Sequence, residues 1–444
     1  MDYLKDIIVE KIYEKAQCIA QKAVRYDKFQ EDIDKKIDLL LTSKATGILS
    51  MLLLLSVIFW LTLVGANYPS QLLAKILFVI EGYLERFLHQ IGLPGVVNDF
   101  LVDGMYRTMA WVVSVMLPPL AIFFPLFTFL EELGYLPRIA FNLDYFFKKA
   151  GTQGKQALAM SMGFGCNAVG VTCCRIINSP RERMIAILTN SFVPCNGRFP
   201  TLMLLAYLFI GGIMPNLGRM LASLAVAGLV VFGILITLLV SKLLSSTFLK
   251  GLPSSFILEL PPYRVPHIGH IIIRSIYERT LLVLGRAIAV AAPAGGIIWL
   301  LANIKFENQN LLANAAALLD PLGRLAGLDG YILLAFIAGS PANEIVLPIL
   351  LMGYLAQGTM VSPDELTGLK ELLESYGWTT LTAINTMLFS LLHFPCATTL
   401  WTIKSETGGA RWAVFAAVLT TSLAFLVCFL TSSLYRLFSW IIKL

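Results

Sequence analysis

The stretch GFGCNAVGVTCC (Gly163–Cys174) sets three glycines, an asparagine and three cysteines within twelve residues, in a chain otherwise composed for lipid. A plain lipid-facing helix has no use for this mixture. Glycine loosens a helix and lets its backbone approach a neighbour. Unwound backbone at membrane depth is tolerated only where it is buried in protein or lines a cavity. The stretch therefore reads as a re-entrant or half-helix pair. Charge agrees: a full span would place Arg175, Arg181 and Arg183 opposite Lys148, Lys149 and Lys155, whereas a half-helix pair keeps all of them on the cytoplasmic side.

Outward from this stretch, 57% of the 444 residues are hydrophobic and 14% are charged, against roughly a quarter charged in soluble domains. Runs such as GILSMLLLLSVIFWLTLVG (47–65) and LASLAVAGLVVFGILITLLV (221–240) approach the ~20 residues that cross a bilayer as a helix. The fold class is all-α: a polytopic transmembrane bundle. Spans are expected near 47–66, 106–133, 184–212, 218–243, 277–302, 329–356, 379–401 and 411–437, with both termini cytoplasmic. Residues 70–90, apolar and charged at helical period, read as a separate interfacial helix. Residues 1–46 read as a cytoplasmic amphipathic arm, and the first apolar run as its own insertion signal. The expected units are the arm (1–46), the first span with its interfacial helix (47–104), a first repeat (105–245), a cytoplasmic connector (246–276), a second repeat (277–404) with a polar insert (357–378), and the last span (405–444). The net charge of +6 reads as topology and not as nucleic-acid binding. Seven cysteines, an odd number lying mostly in apolar segments, read as free thiols.

Three features recur in order. "RT" opens an apolar stretch at Arg107–Thr108 and at Arg279–Thr280. GFGCN ends at Asn167 and GSPAN at Asn343. VPC ends at Cys195 and FPC at Cys396. The first two repeats of this pattern keep nearly the same offset, and the insert accounts for most of the change in the third. On the span assignment the two halves are inverted, and helices broken at matching places in inverted repeats form the substrate sites of transporters.

The breaks carry thiols (Cys166, Cys195, Cys396), amides (Asn167, Asn343) and a carboxylate (Glu344). Proline frees backbone carbonyls beside two of the cysteines. A mixed sulfur and oxygen set suits a borderline transition metal better than Ca²⁺ or Mg²⁺. Glu131 and Glu132 end an apolar stretch and form either an entrance or a second ligand group, unless Glu131 pairs with Arg138. Buried ionisable groups in a membrane are functional by default. His393 reads as a packing residue, and Cys18, Cys173, Cys174 and Cys428 as small hydrophobes.

At these residues the chain resembles the membrane portion of the ferrous iron transport protein B (FeoB) family, over about residues 25 to 435. The resemblance rests on DKKIDLLLTSKATGI (34–48), LEELGYLPRIAFNLDYFFKKAGTQGK (130–155), MGFGCNAVGVTCCRIINSPRERM (162–184), VPCNGRFP (193–200), LELPPYRVP (258–266), GSPANEIV (339–346) and FPCATTLWTIKSETGGARWA (394–413). It implies two gate domains and uptake of Fe²⁺ across the inner membrane of a bacterium or archaeon. It places Cys166, Cys195 and Cys396 on the family's motif cysteines, and Glu131 and Glu132 on its acidic pair. The family usually begins with a GTP-binding domain, and no G-x-x-x-x-G-K-[ST] occurs here. The expected arrangement is a separate G protein docking on the arm, with small accessory proteins, so that GTP acts only through that partner. No permanently bound cofactor and no enzymatic reaction are expected. A homo-oligomer is compatible with the sequence. Asn343 stands where the family commonly has lysine, and Val169 where it often has proline. Three alternatives stay open: transport of Mn²⁺, Zn²⁺ or a nucleoside; a non-transporting receptor or scaffold for a G protein; and thiol redox sensing by Cys173–Cys174 or Cys195–Cys396.

Overall fold

The computed structural model describes residues 11–19, 37–43, 46–213, 218–251, 266–306, 309–355 and 368–442. All but the last residue of the LELPPYRVP motif, the first part of the polar insert and most of the arm lie outside them. The described chain is helical apart from a two-residue hairpin pairing Lys305–Phe306 with Gln309–Asn310.

The first long helix, α1 (Thr46–Gln90), is one unbroken element of 45 residues. The separate interfacial helix expected at 70–90 is instead its continuation. Pro69 removes one backbone donor, which a helix survives when its flanks are held. They are held by α2 (Arg107–Glu132), which runs antiparallel beside α1. Tyr106 donates to the Leu77 carbonyl at 3.1 Å, and Arg107 lies 3.6 Å from Glu81. At 1.5 Å per residue α1 is about 68 Å long, more than a bilayer with its headgroups.

After α2 come α3 (Tyr135–Lys149), then α4 (Lys155–Gly165) and α5 (Asn167–Cys173), the half-helix pair read from the opening stretch. Cys166 between them is extended, at φ −152° and ψ 123°. The expected span at 184–212 is also broken, into α6 (Pro180–Thr189) and α7 (Phe199–Leu205), with the VPCNGR segment between. Next is α8 (Gly218–Ser246). The second half repeats the plan. It contains α9 (Leu281–Asn303), α10 (Leu311–Leu325), α11 (Gly330–Ala338), α12 (Val346–Leu355), α13 (Thr380–Leu392), α14 (Ala397–Thr407) and the terminal α15 (Ala410–Ile442).

Among the described residues six helical stretches are long and apolar enough to cross a membrane, or seven if the α10–α11 pair, bent by 111°, counts as one. This is fewer than the eight spans expected. The stretches at 184–212 and 329–356 are apolar on both sides of a few polar residues, so averaged hydropathy reads them as continuous. Pro194 with Gly197, and Gly339 with Pro341, break them.

The two halves are inverted. A π-helical turn (Phe100–Tyr106) precedes α2, and another (Ser275–Thr280) precedes α9. Thr108 and Thr280, both fully buried, bond back into these turns, to the carbonyls of Gly104 (2.8 Å) and Ser275 (3.1 Å). The start of each long helix meets the end of the other. Gly295 of α9 sits so close to Gly104 and Thr108 that a Cβ would collide with both. At the opposite end Ser275 donates to Thr128 of α2 at 3.1 Å.

Candidate functional site: a thiol cavity between matched helix breaks

The matched breaks adopt matched backbone. Cys166, before Asn167, has φ −152° and ψ 123°; Ala342, before Asn343, has φ −150° and ψ 123°. In both repeats the residue after the Pro-Cys cysteine stitches that break to the glycine-rich one. Asn196 N–H donates to the Gly165 carbonyl at 3.3 Å, and Ala397 N–H to the Ser340 carbonyl at 2.7 Å. Buried backbone left open by a broken helix must find partners, and here each break satisfies the other.

All four breaks converge on one cavity of about 30 Å³, whose lining includes Cys166, Asn167, Cys195, Asn343, Glu344 and Cys396. Gly165 allows the close approach to α2, because a Cβ there would strike the Phe123 ring. Gly197 has the same role opposite: its Cα lies against the Glu344 carboxyl, and a Cβ would collide with it. Asn343 donates through Nδ2 to Cys195 Sγ at 3.7 Å. Its Oδ1 is buried and has no hydrogen-bond partner among the described residues. Cys396 Sγ lies 3.3 Å from Thr399 Oγ1.

Asn167 lines the cavity, yet its amide is occupied by backbone. With Nδ2 facing the carbonyls, it donates to Val193 (3.3 Å) and Gly163 (3.1 Å), the capping role of a broken helix. The structure separates Glu131 and Glu132 from this site. They end α2, eleven residues and about 16 Å along the helix from Leu120 in the cavity wall. The guanidinium of Arg138 meets Asp38 of the arm at 2.6 Å and donates to the Gly134 carbonyl. Among the described residues no three of His, Cys, Asp and Glu converge tightly enough to hold a metal ion. The ligand set is one of thiols, amide oxygens and a single carboxylate around a common space.

Three residues escaped the sequence reading. Arg198 is 1% exposed and holds the two repeats together. It donates to Ser191 (2.9 Å) in its own half and to Leu391 (2.8 Å), His393 (3.1 Å) and Phe394 (3.3 Å) in the other. A buried charge is tolerated because carbonyls at a helix C-terminus carry partial negative charge. Asn190 donates to the Asn167 carbonyl at 3.1 Å and wedges between Gly163 and Gly170, which explains two of the opening stretch's glycines. Asn196 lines the cavity. The signal was present in VPCNGRFP, whose Asn-Gly-Arg follows the cysteine, but only the cysteine was read. His393 is buried; its Nδ1 meets the Phe389 and Ser390 carbonyls at 3.0 and 2.9 Å, and the ring packs among Phe336, Phe389 and Phe394. All seven cysteines are free thiols.

Fold and site define a helical membrane protein built from two inverted repeats around a shared cavity. Comparison with known families agrees with the repeat. A gate-domain model described as "Nucleoside recognition" matches residues 113–214 and again 284–410, together more than half of the chain. A model described as "Ferrous iron transport protein B C terminus" matches residues 226–278. The chain belongs to the gate-domain family and is similar to the membrane region of ferrous iron transport protein B. It is 28% identical to the Fe(2+) transporter FeoB of Staphylococcus aureus (strain MSSA476) over 435 residues, 95% of this chain and 62% of that protein. To the Fe(2+) transporter FeoB of Methanocaldococcus jannaschii it is 28% identical over 443 residues, 96% of this chain and 62% of that one. A Porphyromonas gingivalis relative, described as a fusion of Fe(2+) transport protein A with the Fe(2+) transporter FeoB, is 27% identical over 90% of this chain and 51% of its own length. The chain thus spans about half to three-fifths of these curated relatives. No solved structure matches it.

Proposed function

We propose that this chain carries Fe²⁺ across the cytoplasmic membrane, with the ion passing through the cavity between the gate repeats. The observation that carries the reading is the convergence of Cys166, Cys195, Cys396, Asn343 and Glu344 on one cavity of about 30 Å³. About 10–15 Å³ of such space is enough for one water, so the cavity has room for about two or three. It suits an ion stripped of most of its water and excludes a nucleoside. The thiols favour a borderline transition metal over Ca²⁺ or Mg²⁺, and the orphaned Asn343 Oδ1 supplies an oxygen that a cation would satisfy. In this reading the arm faces the cytoplasm, with both chain termini. GTP acts through a G protein that docks on the arm, and no cofactor is held permanently.

The test is anaerobic Fe²⁺ uptake into proteoliposomes containing the chain, beside Cys195→Ser, with and without GTP and a bound G protein. Saturable uptake that falls in the variant is the expected result. Absence of uptake with a G protein shown to be bound overturns the reading in favour of a scaffold.

A further inference from the structure

A second, wider cavity of about 420 Å³ shares Asn196 and Glu344 with the thiol cavity and opens between α1, α2, α7 and the second repeat. It lies at the end of the molecule away from the arm. Its α1 residues, Ala66 to Phe78, begin twenty residues and about 30 Å beyond Thr46, where the arm joins. No cysteine lines it.

Apolar residues such as Phe78, Trp111, Leu204 and Leu347 make up most of its wall, and a few side chains and carbonyls carry its oxygens. Asn67, Ser70 and Gln71 come from α1, and Ser114 and Val115 from α2. Pro118 and Pro119 lie within α2 and carry no N–H. The carbonyls of Ser114 and Val115, four residues earlier, therefore have no i+4 donor, and each keeps its lone pairs. Glu344 closes the inner wall, fixed against Gly197. Neutral oxygens leading to one carboxylate favour a cation that still wears its water, whose hydrogens point outward to acceptors.

Size separates the two cavities. At about 10–15 Å³ of such space per water, a divalent ion with six waters needs roughly 60–90 Å³. The outer cavity accommodates it, and the inner one does not. We infer that the outer cavity is an antechamber binding a hydrated divalent cation, and that Glu344, shared by both cavities, is where the ion exchanges water for protein ligands. The inference rests on the cation-transport reading and adds a second site with a different selectivity. The antechamber takes Mn²⁺ and Fe²⁺ alike, because oxygen ligands around a hydrated ion read its charge more than its softness. Discrimination begins at the thiols.

The experiment labels Ser70→Cys in the full chain in nanodiscs with a charged, water-soluble methanethiosulfonate; Asn67→Cys is the second position should the first fold poorly. Mn²⁺ alone is the probe. Competitive occupancy at ten times the dissociation constant slows labelling about tenfold. Slowing is expected in the otherwise native chain and equally with Cys195→Ser, and it is lost with Glu344→Gln. Failure of both positions to label, as a lipid-filled or sealed cavity would give, overturns the inference. So does labelling at a rate that Mn²⁺ leaves unchanged, or protection that disappears with Cys195→Ser. Iron uptake reports separately. Uptake that depends on Cys195 without Mn²⁺ protection removes the antechamber and keeps the transport reading. Protection without uptake removes the transport reading and keeps a cation site.

Discussion

Gly197→Ala is the sharpest single test of the site, because it adds one methyl group where the Glu344 carboxyl already lies. The carboxyl must retreat by about an ångström, a displacement of the overpacking kind that costs roughly 1–3 kcal/mol. Taken wholly from ion binding, that is a loss of about 5- to 150-fold in apparent affinity at 1.4 kcal/mol per decade. Half-saturation for Fe²⁺ uptake in proteoliposomes therefore rises by one to two orders of magnitude. Thermal unfolding in detergent moves less, since the side chain has the wider cavity to move into. Gly228 in α8 is the matched control: a Cβ there meets nothing within 4 Å. Gly228→Ala leaves uptake unchanged and, as a helix-interior replacement, stabilises by about 0.5–1 kcal/mol. Glu344→Asp in the Gly197→Ala background withdraws the carboxyl by one methylene and restores part of the affinity, with a coupling energy of about 0.5–3 kcal/mol. If Gly197→Ala takes up Fe²⁺ with unaltered half-saturation, or if the double variant is simply additive, the placement of Glu344 against Gly197 is not what sets ion binding.

Other substitutions probe the frame around the site. Arg198→Met strips four carbonyls of their donor and leaves them buried; at about 1 kcal/mol or more each, the gain from removing a buried charge is exceeded and the melting temperature falls. Arg198→Lys does not rescue it, because an ammonium lacks the planar fork that reaches both repeats. Asp38→Asn removes the carboxylate that Arg138, 2% exposed, meets at 2.6 Å, and lowers the melting temperature. The tie of residues 37–43 to α3 then rests on Asn142, which donates to the Leu41 carbonyl at 2.7 Å, and limited trypsin digestion of the chain is faster than in the native protein. Arg175 meets Glu406 at 2.7 and 2.8 Å, joining the ends of α5 and α14, but Arg175 is 67% exposed. Exposed pairs contribute about 0–1 kcal/mol, so Arg175→Ala shifts thermal unfolding by little, and a large drop would show that the pair is not solvent-screened.

Much of this architecture was legible in the residues. Composition alone established a helical membrane protein, since only helices and closed barrels satisfy backbone groups in lipid. GFGCN announced a broken helix, and the order RT, CN, PC announced the repeat, because glycine and proline act locally on the backbone wherever they stand. Continuity was less legible. Hydropathy cannot distinguish a span from two half-helices of the same apolarity, which is why 184–212 and 329–356 were read whole. Nor does Pro69 mark the end of α1 once α2 supports both sides of it.

The sequence by itself determined the class of molecule, the places where its helices break and the thiols, amides and carboxylate at those breaks, all consequences of local covalent chemistry. Tertiary structure decided which of them meet. Antiparallel packing of α2 and α9 brings Cys195 beside Asn343 and Glu344, 148 residues separating the first pair, and sets Glu131 and Glu132 apart. It directs Arg138 to Asp38 across 100 residues, and Arg198 to carbonyls of the other repeat. Two cavities meeting at one carboxylate likewise belong to no local segment. Such contacts arise from the close packing of distant surfaces, where the absence of a Cβ at Gly165, Gly197 or Gly295 has meaning only once the opposing residue is in place.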